Sequence, residues 1–315
     1  MSGNYWSSPD IFPGVIRVPV GFYPDASDVF LVIAVRAFIS LDLEGLPHIV
    51  SREHLFVKGA LYAEARKIAT EIVKVVAETL HHEEGVEEVV IADSHGPMVN
   101  LIVEDTPGYV KVVRGFPRPL SMVAGAKGSD FAIFLGYHAK AGSEKATFDH
   151  TYSSASIDKL EINGIEVSET LLNAYLLGEW GVPVAMVAGD KSLIETDVKE
   201  HLPWAVGIAL KESFGRYSAM SPGIEGIREL LREGTVEAFE RFKRGELKPL
   251  KTETPVEVKL RFLNSAYAEI AELLPFVERL GGKTVRFSAK SVEEAYRTIE
   301  ILIFASAGVN SIVNR

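Results

Sequence analysis

Apolar runs alternate with segments of helical period along the first two thirds of the chain. The run from Val29 to Leu41 is rich in β-branched residues, which is typical of a strand that is buried on both faces. Similar runs follow at Glu88 to Ala92, Phe131 to Leu135 and Val182 to Val187. Apolar positions at helical spacing from Val57 to Leu80 predict an amphipathic helix after the first strand. This alternation predicts an α/β fold, with a mainly parallel sheet flanked by helices in a three-layer, doubly wound arrangement.

The pattern divides the chain into three regions. Residues 1–28 carry four prolines and predict an irregular N-terminal arm or a short hairpin. Residues 29–195 contain the strands of a larger α/β domain, in which the metal-binding residues considered below are found. Residues 196–315 predict a smaller C-terminal α/β domain, in which no pattern indicates catalysis. Its predicted helices and strands are Gly223 to Phe242, Tyr267 to Leu280, Val292 to Ala305, Val256 to Phe262 and Lys283 to Ser288.

Composition narrows the possible functions. The 315 residues carry a formal net charge of -10, which argues against nucleic acid as a partner and against adhesion to an acidic membrane surface. No residue is a cysteine, so a metal would have to be bound by His, Asp and Glu. The first thirty residues lack the charged region and apolar core of a signal peptide, so we expect a soluble, cytoplasmic protein.

Two carboxylates, Asp42 and Glu44, end the first apolar run. On a strand such residues share a face, and like charges held close together repel unless a cation lies between them. Polar residues follow three later strands at the same kind of position, at His95, His138 and Asp190. Ligands bind at the carboxyl ends of parallel strands, so we expect these side chains to converge on a metal. The alternative for the carboxylate pair is a solvated strand end.

Imidazole and carboxylate ligands suit zinc, which can lower the pKa of a bound water to about 7. One carboxylate can bridge two such ions, roughly 3.5 to 4 Å apart. A dinuclear centre of this kind suits peptide bonds and phosphate esters equally well. The sequence contains neither the His-Glu-x-x-His motif of helical zinc proteases nor a glycine-rich phosphate loop.

Six short motifs follow one another along the chain. They are Ser-Leu-Asp-Leu-Glu-Gly at 40–45, Asp-Ser-His at 93–95, Leu-Gly-Tyr-His-Ala at 135–139, His150-Thr151, Glu-Thr-Leu-Leu-Asn-Ala at 169–174 and Val-Ala-Met-Val-Ala-Gly-Asp at 184–190. In kind and order they resemble the DppA-type D-aminopeptidases, a family of zinc-dependent aminopeptidases. Lys211, Arg216 and Ser221-Pro222 also fit. The resemblance runs from about Arg36 to the C-terminus.

The resemblance implies two zinc ions in each chain, with Asp42 as the bridging ligand. The residues alone do not decide between Glu166 and Glu169 at the start of a predicted helix, and the resemblance selects Glu169. A glutamate in a first helical turn is otherwise explained by the helix dipole. The implied ligands are Asp42, Glu44, His95, His138 and Glu169.

His150 matches the family's catalytic histidine; without the resemblance it could be an ordinary polar loop residue. Acid–base transfer and oxyanion stabilisation are favoured over direct nucleophilic attack, and the neighbouring Asp149 could raise the pKa of His150. Asp190 is a candidate for binding the substrate's amino group or supporting the ligands, or it is a turn cap. Lys211 and Arg216 could bind a substrate carboxylate, or pair with acidic residues.

The resulting prediction is a metal-dependent aminopeptidase that removes the N-terminal residue of short peptides. Preference for D-residues and a ring-shaped homo-oligomer are expected from the resemblance alone. The apolar segment from Ile11 to Phe22 is a candidate for a subunit contact that the resemblance does not test. Two alternatives remain open: a dimetal phosphoesterase, and a non-catalytic oligomeric binding protein of the same fold.

Overall fold

The computed structural model describes residues 15–17, 30–32, 34–83 and 86–313. Its strands are β1 Val15–Arg17, β2 Phe30–Val32, β3 Val35–Leu41, β4 Val86–Asp93, β5 Val110–Val113, β6 Phe131–Tyr137, β7 Ile157–Ile162, β8 Ile165–Glu166, β9 Val184–Asp190, β10 Val206–Gly215, β11 Ser218–Met220, β12 Val256–Phe262, β13 Glu278–Arg279 and β14 Thr284–Ala289. Its helices are α1 Tyr62–His82, α2 Glu169–Glu179, α3 Lys191–Leu193, α4 Lys199–His201, α5 Ile224–Lys243, α6 Ser265–Ala271 and α7 Val292–Val313.

A seven-stranded sheet with the order β11-β10-β9-β6-β3-β4-β5 forms the centre of the molecule. Its strand pairs are parallel except β10 with the edge strand β11. A second, antiparallel sheet has the order β13-β14-β12-β7-β8, and α6 and α7 pack with it. The predicted α/β fold, with a mainly parallel sheet and a smaller α/β unit, is confirmed.

Burial on both faces explains the continuous apolar runs of the central strands. All seven residues of β6 are buried, and successive side chains enter opposite cores because side chains alternate along a strand. Helices α1 and α5 cover one face. Helix α2 covers the other face and is itself enclosed by the second sheet and α7, so its polar residues Glu169 and Asn173 are buried.

Three predicted elements were wrong in extent. The C-terminal helix, predicted to end at Ala305, continues to Val313. The run from Val29 to Leu41 does not form one strand, because β2 pairs antiparallel with β1 in a separate two-stranded sheet while β3 belongs to the large sheet. The helix predicted from Tyr267 to Leu280 ends at Ala271. Leu273 and Phe276 are exposed, so the apolar pattern beyond Ala271 does not mark a helix face packed on the core.

The two sheets do not divide the chain at residue 195. Strands β7 and β8, which precede it, pair in the second sheet, and β10, β11 and α5, which follow it, complete the first sheet and its helical layer. The domain division at 195 and 196 stays a prediction. Of the predicted arm, 15–17 form β1, and the rest of 1–28 lies outside the described residues. No helix within the described ranges is long and apolar enough to cross a membrane.

Candidate metal centre

The loop that follows β3 carries the two carboxylates, and close packing fixes its path. Both side chains are buried, Asp42 at 3% and Glu44 at 5% exposure, so a solvated strand end is excluded. They lie in a turn beyond the strand rather than on the strand itself. A Cβ at Gly45 would lie 1.9 Å from the carbonyl oxygen of Tyr137, and Gly136 has a positive φ against the Asp42 carbonyl. Glycine at 45 therefore lets this turn lie directly on the end of β6.

The turn after β4 presents His95. The Asn100 amide donates hydrogen bonds to the Asp93 carboxylate at 2.6 Å and to the His95 carbonyl at 2.8 Å. Tyr62 of α1 donates to Asn100 at 2.9 Å, which anchors the turn to the helical layer. The His95 Nε2 lies 3.1 Å from Glu44 Oε1, so the ends of two neighbouring parallel strands bring these two candidate ligands together.

His138, His150 and Glu169 complete the cluster. His138 Nε2 lies 3.4 Å from Glu169 Oε1 and 3.6 Å from Asp42 Oδ2. His150 Nε2 lies 3.5 Å from Glu169 Oε1, and the two imidazole rings stack with centroids 4.4 Å apart. Ser168 caps α2, and Glu169 Oε1 accepts a hydrogen bond from the Tyr152 backbone at 2.7 Å. The His150 loop is therefore tied to the glutamate that it faces.

The arrangement of donors and acceptors fits a cation. The Nδ1–H groups of His138 and His150 are directed at the carbonyls of Ala139 and Phe148, so the Nε2 of each ring faces the carboxylate oxygens. Asp42 Oδ2, Glu44 Oε2 and His138 Nε2 are buried with no hydrogen-bond partner among the described residues. Neighbouring ligands around a tetrahedral zinc lie about 3.4 Å apart, given metal–ligand bonds near 2.1 Å. The observed separations of 3.1 to 3.6 Å agree with that spacing.

Charge repulsion and burial displace the pKa values within the cluster. Burial, together with the charges of Glu44 and Glu169, raises the pKa of Asp42 well above its ordinary value. Burial opposes the charged imidazolium of His138, but Glu169 and Glu44 outweigh it and raise the pKa of His138 to about 9. Burial and the neighbouring His138 lower the pKa of His150. Three carboxylates in a buried site thus retain their charge only with positive charge beside them.

A buried polar network supports the cluster from behind. The Asn173 amide donates to the Tyr137 hydroxyl at 3.0 Å, and Tyr137 donates to Ser40 Oγ at 2.8 Å. Asn173 Oδ1 accepts from the hydroxyls of Tyr152 at 2.6 Å and Tyr296 at 3.1 Å. The asparagine of the Glu-x-x-x-Asn-Ala motif therefore joins α2 to α7, to β6 and to the His150 loop.

Asp190 and Lys211 lie outside the cluster, and each contacts a loop that carries residues of the cluster. Asp190 caps the turn after β9 through Ser192 and accepts hydrogen bonds from both the backbone and the hydroxyl of Thr147, three residues before His150. Lys211 is 1% exposed and donates to the carbonyls of Glu44 and Ile49. Its burial lowers the pKa of its ammonium group to about 8.

Arg216 pairs with the carboxylate and the carbonyl of Asp149. The expectation that Asp149 raises the pKa of His150 was wrong, because the carboxylate is engaged by Arg216 and the pKa of His150 lies below its usual value. Arg216 also lines a cavity of about 380 Å³ beside His150, where Arg52 is a second cation. It is the only one of the three candidates for substrate binding that reaches a described cavity at the cluster.

Some residues at the site were missed from the sequence. Tyr152 holds Glu169 through a backbone N–H, which no side-chain pattern reveals. The C-terminal helix, in which no pattern indicated catalysis, contributes Glu300, Ile303 and Phe304 to a cavity of about 300 Å³ beside the cluster. Helical periodicity predicts the helix, but it does not predict which of its residues line this cavity.

The fold and the cluster define a class of protein: an α/β protein in which buried carboxylates and imidazoles gather at the carboxyl edge of a parallel sheet, where a metal can bind. Comparison with known families is specific. Residues 35–301 match the family model Peptidase_M55, described as D-aminopeptidase. The chain therefore belongs to the D-aminopeptidase family, and its activity at family level is that of a peptide hydrolase.

Two relatives show how far the likeness extends. A D-aminopeptidase of Bacillus subtilis (strain 168) is 33% identical over 272 residues, which are 85% of this chain and 96% of the relative. The solved structure of the Zn-dependent D-aminopeptidase DppA from Bacillus subtilis, a self-compartmentalizing protease, superimposes with a TM-score of 0.82 at 30% identity. That alignment covers 87% of this chain and 98% of the other.

Proposed function

We propose that the protein is a zinc-dependent aminopeptidase that removes N-terminal residues, with a preference for the D configuration, from short peptides. Asp42, Glu44, His95, His138 and Glu169 would hold two zinc ions in each chain. The observation that carries the proposal is that Asp42, Glu44 and His138 bring buried polar atoms together, and that none of these atoms has a hydrogen-bond partner among the described residues. The family and the zinc dependence of the relative support the choice of metal and reaction.

Zinc bound there would polarise the scissile carbonyl and lower the pKa of a water molecule to about 7. The chain's own groups prepare the rest of the reaction. The Phe148 carbonyl fixes the His150 proton on Nδ1, which leaves Nε2 free to take up a proton and deliver it to the leaving amine. The lowered pKa of His150 keeps the imidazole neutral, as a proton acceptor must be.

Supporting residues have roles that follow from their contacts. Asp190 positions the His150 loop through Thr147, and Lys211 positions the Glu44 turn. Arg216 faces the second cavity and can pair with the carboxylate of a short peptide on the leaving side of the scissile bond. A self-compartmentalizing relative supports a ring-shaped homo-oligomer for this chain as well, which would restrict access to short or unfolded peptides.

The test combines metal analysis with turnover. Purified protein should contain about two zinc ions per chain and should release p-nitroaniline from D-alanine p-nitroanilide faster than from the L enantiomer. A chelator should remove both metal and activity. Turnover of phenyl phosphate without turnover of either anilide would reject the peptidase. Absence of tightly bound metal, with no activity on adding zinc, would favour the non-catalytic binding protein.

The role of His150 needs its own variant, because its Nε2 lies close enough to His138 and Glu169 to serve as a further ligand. His150→Ala should abolish turnover while retaining the zinc content of the wild type. His82→Ala, at the exposed end of α1, is the matched control and should change neither. Loss of zinc from His150→Ala would instead make His150 a ligand.

A further inference from the structure

The C-terminal helix α7 places one carboxylate in the cavity that opens beside the ligand cluster. The cavity has a volume of about 300 Å³, and Glu300 lines it together with Asp42, Glu44 and Glu169. Phe304, Phe116, Met98 and Ile303 form an apolar part of the wall, and serines, histidines and a tyrosine form a polar part. Glu300 therefore lies next to apolar side chains in a cavity that adjoins the ligand cluster.

One oxygen of the Glu300 carboxylate accepts no hydrogen bond. Its Oε1 is buried and has no hydrogen-bond partner among the described residues. Arg297, one turn earlier on α7, pairs with Glu293 at 2.6 Å. Burial raises the pKa of Glu300 to about 7, although the backbone of Leu120 and the charge of Arg297 act against this rise. The backbones of Leu120 and Ser121 hold the carboxylate in place, which leaves Oε1 as an acceptor that a ligand can use.

The two cavities at the cluster differ in charge. No lysine or arginine is found among the described residues that line the Glu300 cavity. The cavity on the other side shares Glu44, His95 and His150, but its charged wall contains Arg52 and Arg216. A short peptide has the same polarity, with an ammonium group at one end and a carboxylate at the other. The charges of the two cavities therefore favour one orientation of a bound peptide.

We propose that Glu300 binds an ammonium group of the substrate in the cavity beside the ligand cluster and so contributes to substrate specificity. The proposal rests on the proposed aminopeptidase function. An alkylammonium group supplies the N–H donors and the positive charge that Oε1 lacks, and its carbon chain fits the apolar wall. Two parts of a substrate carry this chemistry: the free N-terminal amine and the side chain of an N-terminal lysine.

Steady-state kinetics on D-alanine and D-lysine p-nitroanilides can distinguish the two sources. A charge-assisted hydrogen bond corresponds to about tenfold or more in binding, so Glu300→Gln should raise KM by at least that factor with kcat little changed. A rise for both substrates assigns the N-terminal amine, and a rise for the lysine substrate alone assigns its side chain. Glu294→Gln, on the exposed face of the same helix, is the control and should leave both KM values unchanged.

Equal KM values for wild type and Glu300→Gln with both substrates, in protein with full zinc content, would overturn the proposal. Wild-type protein that is loaded with zinc and turns over neither substrate would instead refute the proposed function. If Glu300→Gln fails to fold, the proposal can still be tested by inhibition of the wild-type protein. n-Butylammonium should inhibit competitively at least about tenfold more strongly than n-butanol, and equal inhibition by the two would also overturn the proposal.

Discussion

Replacing Asn173 by alanine tests whether the polar network behind the site holds it in place. The side chain is fully buried, and its amide joins the hydroxyls of Tyr137, Tyr152 and Tyr296. After this replacement Tyr137 can still donate to Ser40. The hydroxyls of Tyr152 and Tyr296, which are 2.6 Å apart, can still form one hydrogen bond with each other. One of these last two hydroxyl protons then loses its acceptor, because both cannot donate within the same bond.

The expected loss of stability follows from the number of buried donors left without an acceptor. One buried donor without a partner costs about 1–3 kcal/mol, and the lost side-chain volume adds about 1 kcal/mol. We therefore expect Asn173→Ala to lower the free energy of unfolding by about 2–4 kcal/mol, measured by urea denaturation of the zinc-free protein. Activity should fall too, because Tyr152 also donates its backbone N–H to Glu169.

Thr170→Ala provides the matched control on the same helix. Thr170 is fully buried, loses a similar volume, and its hydroxyl has no hydrogen-bond partner among the described residues. Its replacement removes no hydrogen bond, so we expect a cost of about 1 kcal/mol or less. Equal costs for the two variants would refute the reasoning, because the effect would then belong to packing and not to the network.

Three further outcomes are expected. Gly45→Ala should abolish zinc binding and lower the melting temperature, since its Cβ would meet the Tyr137 carbonyl. Gly108→Ala, in an exposed turn with open space around it, is the control and should have little effect by either measure. Lys211→Met should reduce zinc content, measured by atomic absorption, because the Glu44 and Ile49 carbonyls lose their donor. The raised pKa of Glu300 means that wild-type stability falls, relative to Glu300→Gln, as pH rises from 4.5 to about 7. Urea denaturation should show a change of about 1–2 kcal/mol after screening by solvent; parallel pH curves would contradict it.

The sequence predicts the central sheet well because buried parallel strands leave a strong signal. The runs that end at Leu41 and Val187 are apolar on both faces, and the polar residues beyond them meet at one edge for topological reasons alone. Strand β7 gave no such signal, since its polar residues Asp158 and Lys159 interrupt the apolar pattern. It pairs with β12, nearly a hundred residues later, which only the tertiary fold determines.

The candidate site, like the fold, could be predicted from the sequence only in part. Residue types and strand order indicated Asp42, Glu44, His95 and His138 as candidate ligands, and the family resemblance added Glu169. The structure brings these side chains into one buried cluster. What a single sequence could not give is the contact made by each supporting group. Lys211 binds carbonyls rather than a carboxylate, and Glu300 reaches the cavity from a helix more than a hundred residues away from any ligand. Such contacts depend on packing between distant segments.

The zinc content of ligand variants tests the central claim most directly. Asp42 lies within ligand distance of both Glu44 and His138, whereas Glu44 contacts His95 on its other side. After dialysis against zinc-free buffer, the wild type should retain about two zinc ions per chain, Glu44→Ala chiefly one, and Asp42→Ala none. Two ions retained by Asp42→Ala, or fewer than about one in the wild type, would contradict a dinuclear centre built on that carboxylate.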